Sequence, residues 1–197
     1  IRDRYHVGPE HDEAYYKKHG IHDIPKNAEY TDRRNKLKFS NEKIYRKLIK
    51  DRGFTWARNV YWGNMKAPFK GHNPEWTTAA AIEFIEKHKD KPFYLHLCST
   101  LLHGPNGEWH RSLVSKELVT GEGILDKPVN SQPSRESVLR RVKEAGLTEN
   151  EAGYTWMDDG IGVILDKLDE LGISDNTIFL FVSDHGSSGK GSVFRNR

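Results

Sequence analysis

TENEAGYTWMDDGIGVILDKLDELGISDNTIFLFVSDHGSSGKGS, residues 148–192, is the stretch on which the fold reading turns. Thr148 and Glu151 stand in the T-x-x-E spacing of a capping box, which satisfies two amide donors that a helix start leaves open. Met157, Ile161, Ile164, Leu168 and Leu171 follow at helical period and predict one apolar stripe. Gly172 lies where a left-handed helix end is wanted, and Ser174-Asp175-Asn176 predicts a turn into a buried strand over 178–182. That strand ends on an acid and an imidazole, Asp184 and His185, followed by a loop of small residues carrying Lys190.

Working outward, residues 76–105 repeat the order of elements. Thr77 or Thr78 is placed to cap a helix whose Ala81, Phe84 and Ile85 share a face, and Pro92 follows its Lys-rich end. Residues 93–98 then read as a short strand opening into a loop that holds His103. Strand, helix, strand implies a right-handed crossover, so the fold class expected is α/β, a mostly parallel sheet flanked by helices. In such sheets ligands gather beyond the carboxyl ends of the strands. His103 and the Asp184-His185 pair both follow strand ends and are expected on one rim.

Elsewhere the signals are weaker. A helix is expected over 134–145, stopped by Gly146, and two more near 13–18 and 42–50; residues 53–74, rich in Trp, Gly, Asn and Pro, read as an irregular loop. Gly160 and Gly162 do not follow a strand, so close helix packing explains them better than a dinucleotide signature. Lys190 in GSSGKGS lacks the Walker spacing, which leaves a backbone-rich loop with one cation, suited to an oxyanion. His6, His11, His19 and His22 match no closed zinc pattern.

The chain of 197 residues suits one domain or a large piece of one, and its 31 basic and 28 acidic residues nearly balance. No run of residues is long and apolar enough for a membrane span. Cys98 is the single cysteine, so no internal disulfide forms. Arg33, Arg34, Lys36, Lys38, Lys43, Arg46, Lys47 and Lys50 form a basic cluster with interspersed Tyr30, Phe39 and Tyr45. Acids dilute that cluster, so a solvated helix face is expected rather than a nucleic-acid partner.

Together these residues resemble the sulfatases of the alkaline phosphatase superfamily. The run from Tyr154 through SDNTIFLFVSDHGSSGKGS is similar to that family's helix, D-N-T turn, strand, S-D-H/N-G and G-K-G-S. KPFYLHLCSTLLHGP, residues 91–105, resembles its strand and histidine-proline loop; YHVGPE, residues 5–10, resembles the tail of its G-K-W-H-x-G motif. The resemblance implies a sulfate-ester substrate and a divalent metal, calcium or else magnesium, with Asp184 and His185 as two of its ligands. It implies Lys190 and His103 on the sulfate group, either one assisting the leaving oxygen, and His6 beside the nucleophile. Arg4 would replace the usual lysine, which keeps charge and changes geometry. A periplasmic, lysosomal or secreted setting is implied in the same way.

The family's nucleophile is a formylglycine made from the cysteine or serine of an amino-terminal C/S-x-P-x-R motif. Cys98 sits in C-S-T-L-L, without the proline or arginine. The nucleophile and two further acidic ligands are therefore expected outside residues 1–197, which read as the central part of a sulfatase catalytic domain, inactive alone. Two alternatives stand beside this: a phosphate or phosphonate ester hydrolase of the same superfamily, and a non-catalytic polyanion-binding remnant using the basic cluster.

Overall fold

The computed structural model describes residues 13–25, 29–62, 69–102 and 109–183. Its helices are α1 (Glu13–His19), α2 (Asp32–Lys50), α3 (Pro74–His88), α4 (Trp109–Val114), α5 (Arg135–Glu144) and α6 (Ala152–Glu170). A hairpin, β1 (Leu118–Thr120) and β2 (Gly123–Leu125), lies between α4 and α5. Its strands pair antiparallel, Val119 opposite Ile124.

Helix α6 is the centre of the molecule. The capping box forms on a 3-10 turn, Glu149–Glu151, just ahead of α6, with the Thr148 N–H donating to the Glu151 carboxylate at 2.9 Å. Gly172 closes the far end at φ +67°, a conformation that favours glycine. The buried face, however, runs through Ala152, Trp156, Gly160, Ile164 and Leu168, and Met157 and Ile161 lie only at its edge. Trp156 fixes this rotation. It is wholly buried, and its indole N–H donates to Glu75 at 2.9 Å.

Two cores meet on α6. Leu101, Leu113, Val138 and Val142 surround Ala152 and Trp156 at its amino-terminal half. Ala81, Phe84 and Ile85 of α3 pack on Ile164 and Leu168 farther along, with Phe93 and Leu95 at the margin. Gly160 lets α6 approach Thr78 and Gln132, where a Cβ would stand 3.0 and 3.1 Å from their side-chain oxygens. Gly162 faces open space, so the packing explanation holds for one glycine and fails for the other.

Helix α3 starts four to five residues earlier than its threonines suggested. Asn73 takes the cap position and Pro74 the first turn, where its missing N–H costs nothing. Thr77 donates to the Pro74 carbonyl and Thr78 to Gln132, so neither caps. Helix α2 likewise begins at Asp32, capped by Thr31, and not near residue 42. Its buried face is polar as well as apolar. Asn41 binds both the N–H and the carbonyl of His22, at 2.8 and 2.7 Å, and so ties down the amino-terminal segment.

The parallel sheet expected from the sequence is not formed among the described residues; the β1–β2 hairpin is the only sheet there. Residues 93–98 and 178–182 carry no strand pairing. The second run is open to solvent, with Ile178 at 87% and Val182 at 80% exposure. A strand exists only through a ladder partner, and neither run has one among these residues. The hairpin, whose strands are three residues long, and the six-residue helix α4 are elements that the sequence did not announce.

Candidate functional site

Every residue assigned a catalytic, substrate-binding or metal role by resemblance, namely Arg4, His6, His103, Asp184, His185 and Lys190, lies outside the described residues. The structure does show the framework from which two of those segments leave. Ser183 ends the run before Asp184, and Leu102 and Trp109 flank residues 103–108. Among the described residues no cluster of three or more His, Cys, Asp or Glu side chains is arranged to hold a metal.

The framework around 103–108 is built from buried polar groups. His72, 3% exposed, approaches Thr100 Oγ1 with its Nδ1 at 3.1 Å. Its backbone N–H donates to Ser112 Oγ of α4 at 2.9 Å. The Ser112 carbonyl in turn accepts from Arg135 at 2.7 Å. Arg135 grips both carboxylate oxygens of Glu75, at 3.1 and 3.2 Å, and lies over the Trp156 ring. Such a planar two-pronged pair fixes orientation as well as distance. Leu102 turns the chain at φ +66°, a backbone region that non-glycine residues seldom enter.

Gly153 of α6 completes the arrangement. A Cβ there would stand 3.0 Å from Leu102 Cδ2 and 3.0 Å from the Trp109 indole. The two residues that bracket 103–108 therefore converge on one glycine. Trp109 is held in place by its Nε1–H, which donates to the Asn150 carbonyl at 2.9 Å.

A second polar cluster joins α2 to the hairpin. Glu42 is fully buried, accepts the Val60 N–H at 2.9 Å and pairs with Arg46, which also reaches Glu122. Burial, and then the neighbouring Glu42 charge, raise the Glu122 carboxyl above its ordinary value. Lys38 lies close by with its Nζ 4.0 Å from the Trp62 ring centre, and burial lowers its ammonium to about 8. Thus Lys38 faces inward, Arg46 is shared by two acids, and Lys47 is paired with Asp51 at 2.7 Å. The basic cluster of α2 is not a continuous cationic face.

Sequence reasoning missed one pattern. Ser131-Gln132-Pro133-Ser134-Arg135 has the S-x-P-x-R spacing, which was sought only around Cys98. Here those residues serve the scaffold: Ser131 Oγ donates to the Glu75 carbonyl at 2.6 Å, Ser134 caps α5, and Arg135 holds Glu75. Cys98 is exposed, with its Sγ 3.5 Å from His96 Nε2.

A family model described as Sulfatase matches residues 3–196. The chain belongs to the sulfatase family. An α/β fold of the alkaline-phosphatase type follows from that membership. An ulvan-active sulfatase of Formosa agariphila is 30% identical over 128 residues, covering 64% of this chain and 22% of the relative. An endo-4-O-sulfatase of Bacteroides thetaiotaomicron is 28% identical over 130 residues, 60% of this chain and 25% of the relative. An arylsulfatase of Clostridium perfringens is 28% identical over 140 residues, 58% and 26% respectively. The matches thus span about a quarter of the length of these relatives. His72, Thr100, Ser112 and Gly153 carry no signal in the sequence that sets them apart from ordinary core residues of a sulfatase.

Proposed function

We propose that residues 1–197 are the central portion of a sulfatase catalytic domain and contribute part of a site that hydrolyses a sulfate ester. The match of the family model over residues 3–196 carries this reading, and the S-D-H-G and G-K-G-S run of residues 183–192 agrees with it. Asp184 and His185 would supply a carboxylate oxygen and an imidazole nitrogen to a divalent cation. The carboxylate suits such an ion, the imidazole nitrogen is a less usual donor for calcium, and the pair does not complete its shell. Calcium takes six to eight oxygen donors as a rule, so further acidic ligands come from elsewhere in the protein.

When bound, the cation polarises the sulfate oxygens and stabilises charge as the S–O bond breaks. Lys190 and His103 bind the sulfate group, where a fixed cation and an N–H donor are worth most as negative charge develops. One of them passes a proton to the leaving oxygen. His6 and Arg4 lie beside the nucleophile, a formylglycine supplied from outside these residues.

The test is Asp184→Ala in the full-length protein, read by metal analysis and by sulfate release from an aryl sulfate. Bound cation and activity should be lost together, the activity by at least roughly a hundred-fold. Unchanged metal content would mean that the pair only shapes a turn.

A further inference from the structure

Helix α2 turns Arg33, Lys36, Phe39, Lys43, Lys47 and Lys50 to the outside, and all of them are exposed. Lys38 and Arg46, the cations held by other groups, do not belong to this face. Lys36, Lys43 and Lys50 stand seven residues apart. They therefore drift by only about 20° per step and form one line along the helix, spaced about 10.5 Å apart by its rise. Lys47 lies beside the line, its charge met by Asp51 at 2.7 Å. Between Asp32 and Asp51 the helix has a single acid, Glu42, and that side chain is wholly buried. None of Lys36, Lys43 and Lys50 makes an ion pair among the described residues. Lys43 rests instead on Phe39, with its Nζ 4.1 Å from the ring centre, and its charge also reaches Glu122. Phe39 is itself 42% exposed in the middle of the face.

A merely solvated helix face ordinarily mixes charges of both signs, whereas this line carries only cations beside an open aromatic ring. It also stays in water whatever packs elsewhere on the molecule, because unpaired ammonium groups are far costlier to bury than to leave hydrated. The complement of such a line is an extended polyanion. Lysines are point charges that suit separate anionic groups, while surfaces for nucleic acid favour the flat fork of arginine and several stacking aromatics. Here one ring is offered. We propose that the outer face of α2 anchors a sulfated polysaccharide, with Lys36, Lys43 and Lys50 meeting successive sulfate groups and Phe39 lying against a sugar ring between them. The choice of a sulfated polymer rests on the reading of this chain as part of a sulfate-ester hydrolase. Anchoring at α2 raises the local concentration of the polymer's esters without adding a contact at the site of hydrolysis.

The test uses the full-length protein with dextran sulfate and with single-stranded DNA of matched length. Lys36, Lys43 and Lys50 are replaced together by Gln, which keeps helix propensity. The control replaces Lys89, Lys116 and Lys143, exposed lysines elsewhere on the surface, in the same way. Phe39→Ala is made separately. Affinity is measured by calorimetry at low and high salt, with thermal unfolding of each variant alongside.

At low salt the α2 triple variant should bind dextran sulfate at least roughly ten-fold more weakly than the unmodified protein, and the difference should shrink as salt rises. The control should bind nearly as the unmodified protein does, although its net charge has changed equally. Phe39→Ala should weaken binding at high salt as well as low, because the contact it loses is with the sugar. Equal losses in both triple variants would reduce the effect to net charge and overturn the proposal. Tighter binding of DNA than of dextran sulfate would assign the face to nucleic acid, and no binding at low salt would leave it without a partner; either result also overturns it. Binding is read without turnover, so the two readings fail separately: a protein that holds dextran sulfate through α2 yet releases no sulfate from an aryl ester keeps the surface and loses the hydrolytic assignment.

Discussion

Lys38 shows how a single side chain in α2 departs from what its neighbours in sequence suggest. It belongs to the basic cluster by composition, yet it is 7% exposed and lies over Trp62. Burial lowers its ammonium from the ordinary 10.5 to about 8. Below pH 8 it is charged in both folded and unfolded chains, so its burial cost is constant there. Between 8 and 10.5 the unfolded chain holds more protons, and stability must rise with pH. Lys38→Met in the full-length protein should therefore flatten that rise. At neutral pH it should add roughly 1 to 3 kcal/mol, once the lost cation–π contact is set against the relieved desolvation. Denaturant titrations across that range would check this, and a pH dependence equal to that of the unmodified protein would assign the rise to other groups. Nothing in the string of residues distinguishes Lys38 from Lys36 or Lys43; only the packing of Trp62 against α2 does so.

Among the elements, what was legible followed local chemistry. The capping box at Thr148 and Glu151, the left-handed Gly172, and the end of α5 just ahead of Gly146 all appear as read, because each depends on groups within a few residues. What required partners was misread. The start of α3 was placed on its threonines, since a Thr is a good cap in isolation, whereas Pro74 and the distant Gln132 decide the matter. The stripe of α6 was displaced because Trp156 is drawn inward by Glu75 from α3. The two glycines of α6 give a direct check. Gly162→Ala should stabilise by about 1 kcal/mol, the usual gain of alanine over glycine within a helix, since nothing lies near its added methyl. Gly160→Ala should gain less or lose, because Thr78 and Gln132 must move. Equal melting shifts for the two variants would contradict the packing described for Gly160.

For the molecule as a whole, the family and its α/β class were legible, while the site's geometry was not. The motif residues Asp184, His185, Lys190, His103, His6 and Arg4 were found by resemblance, and they lie outside the described residues. The network that joins His72, Ser112 and Arg135, and the approach of Leu102 and Trp109 to Gly153, could not be read from sequence, because these residues meet only when α3, α4, α5 and α6 pack together. The run over 178–182 is exposed and apolar, with Ile178, Leu180 and Val182 each about four-fifths open. A strand of that composition needs neighbours on both sides to become the centre of a parallel sheet. The function proposed above expects such neighbours, with Asp184 and His185 on a rim shared with His103. The most direct measurement is hydrolysis by the full-length protein of a matched pair of aryl esters, one sulfate and one phosphate, with and without a divalent-metal chelator. Metal-dependent sulfate release well above phosphate release is the predicted result; faster phosphate release, or sulfate release indifferent to the chelator, would contradict it.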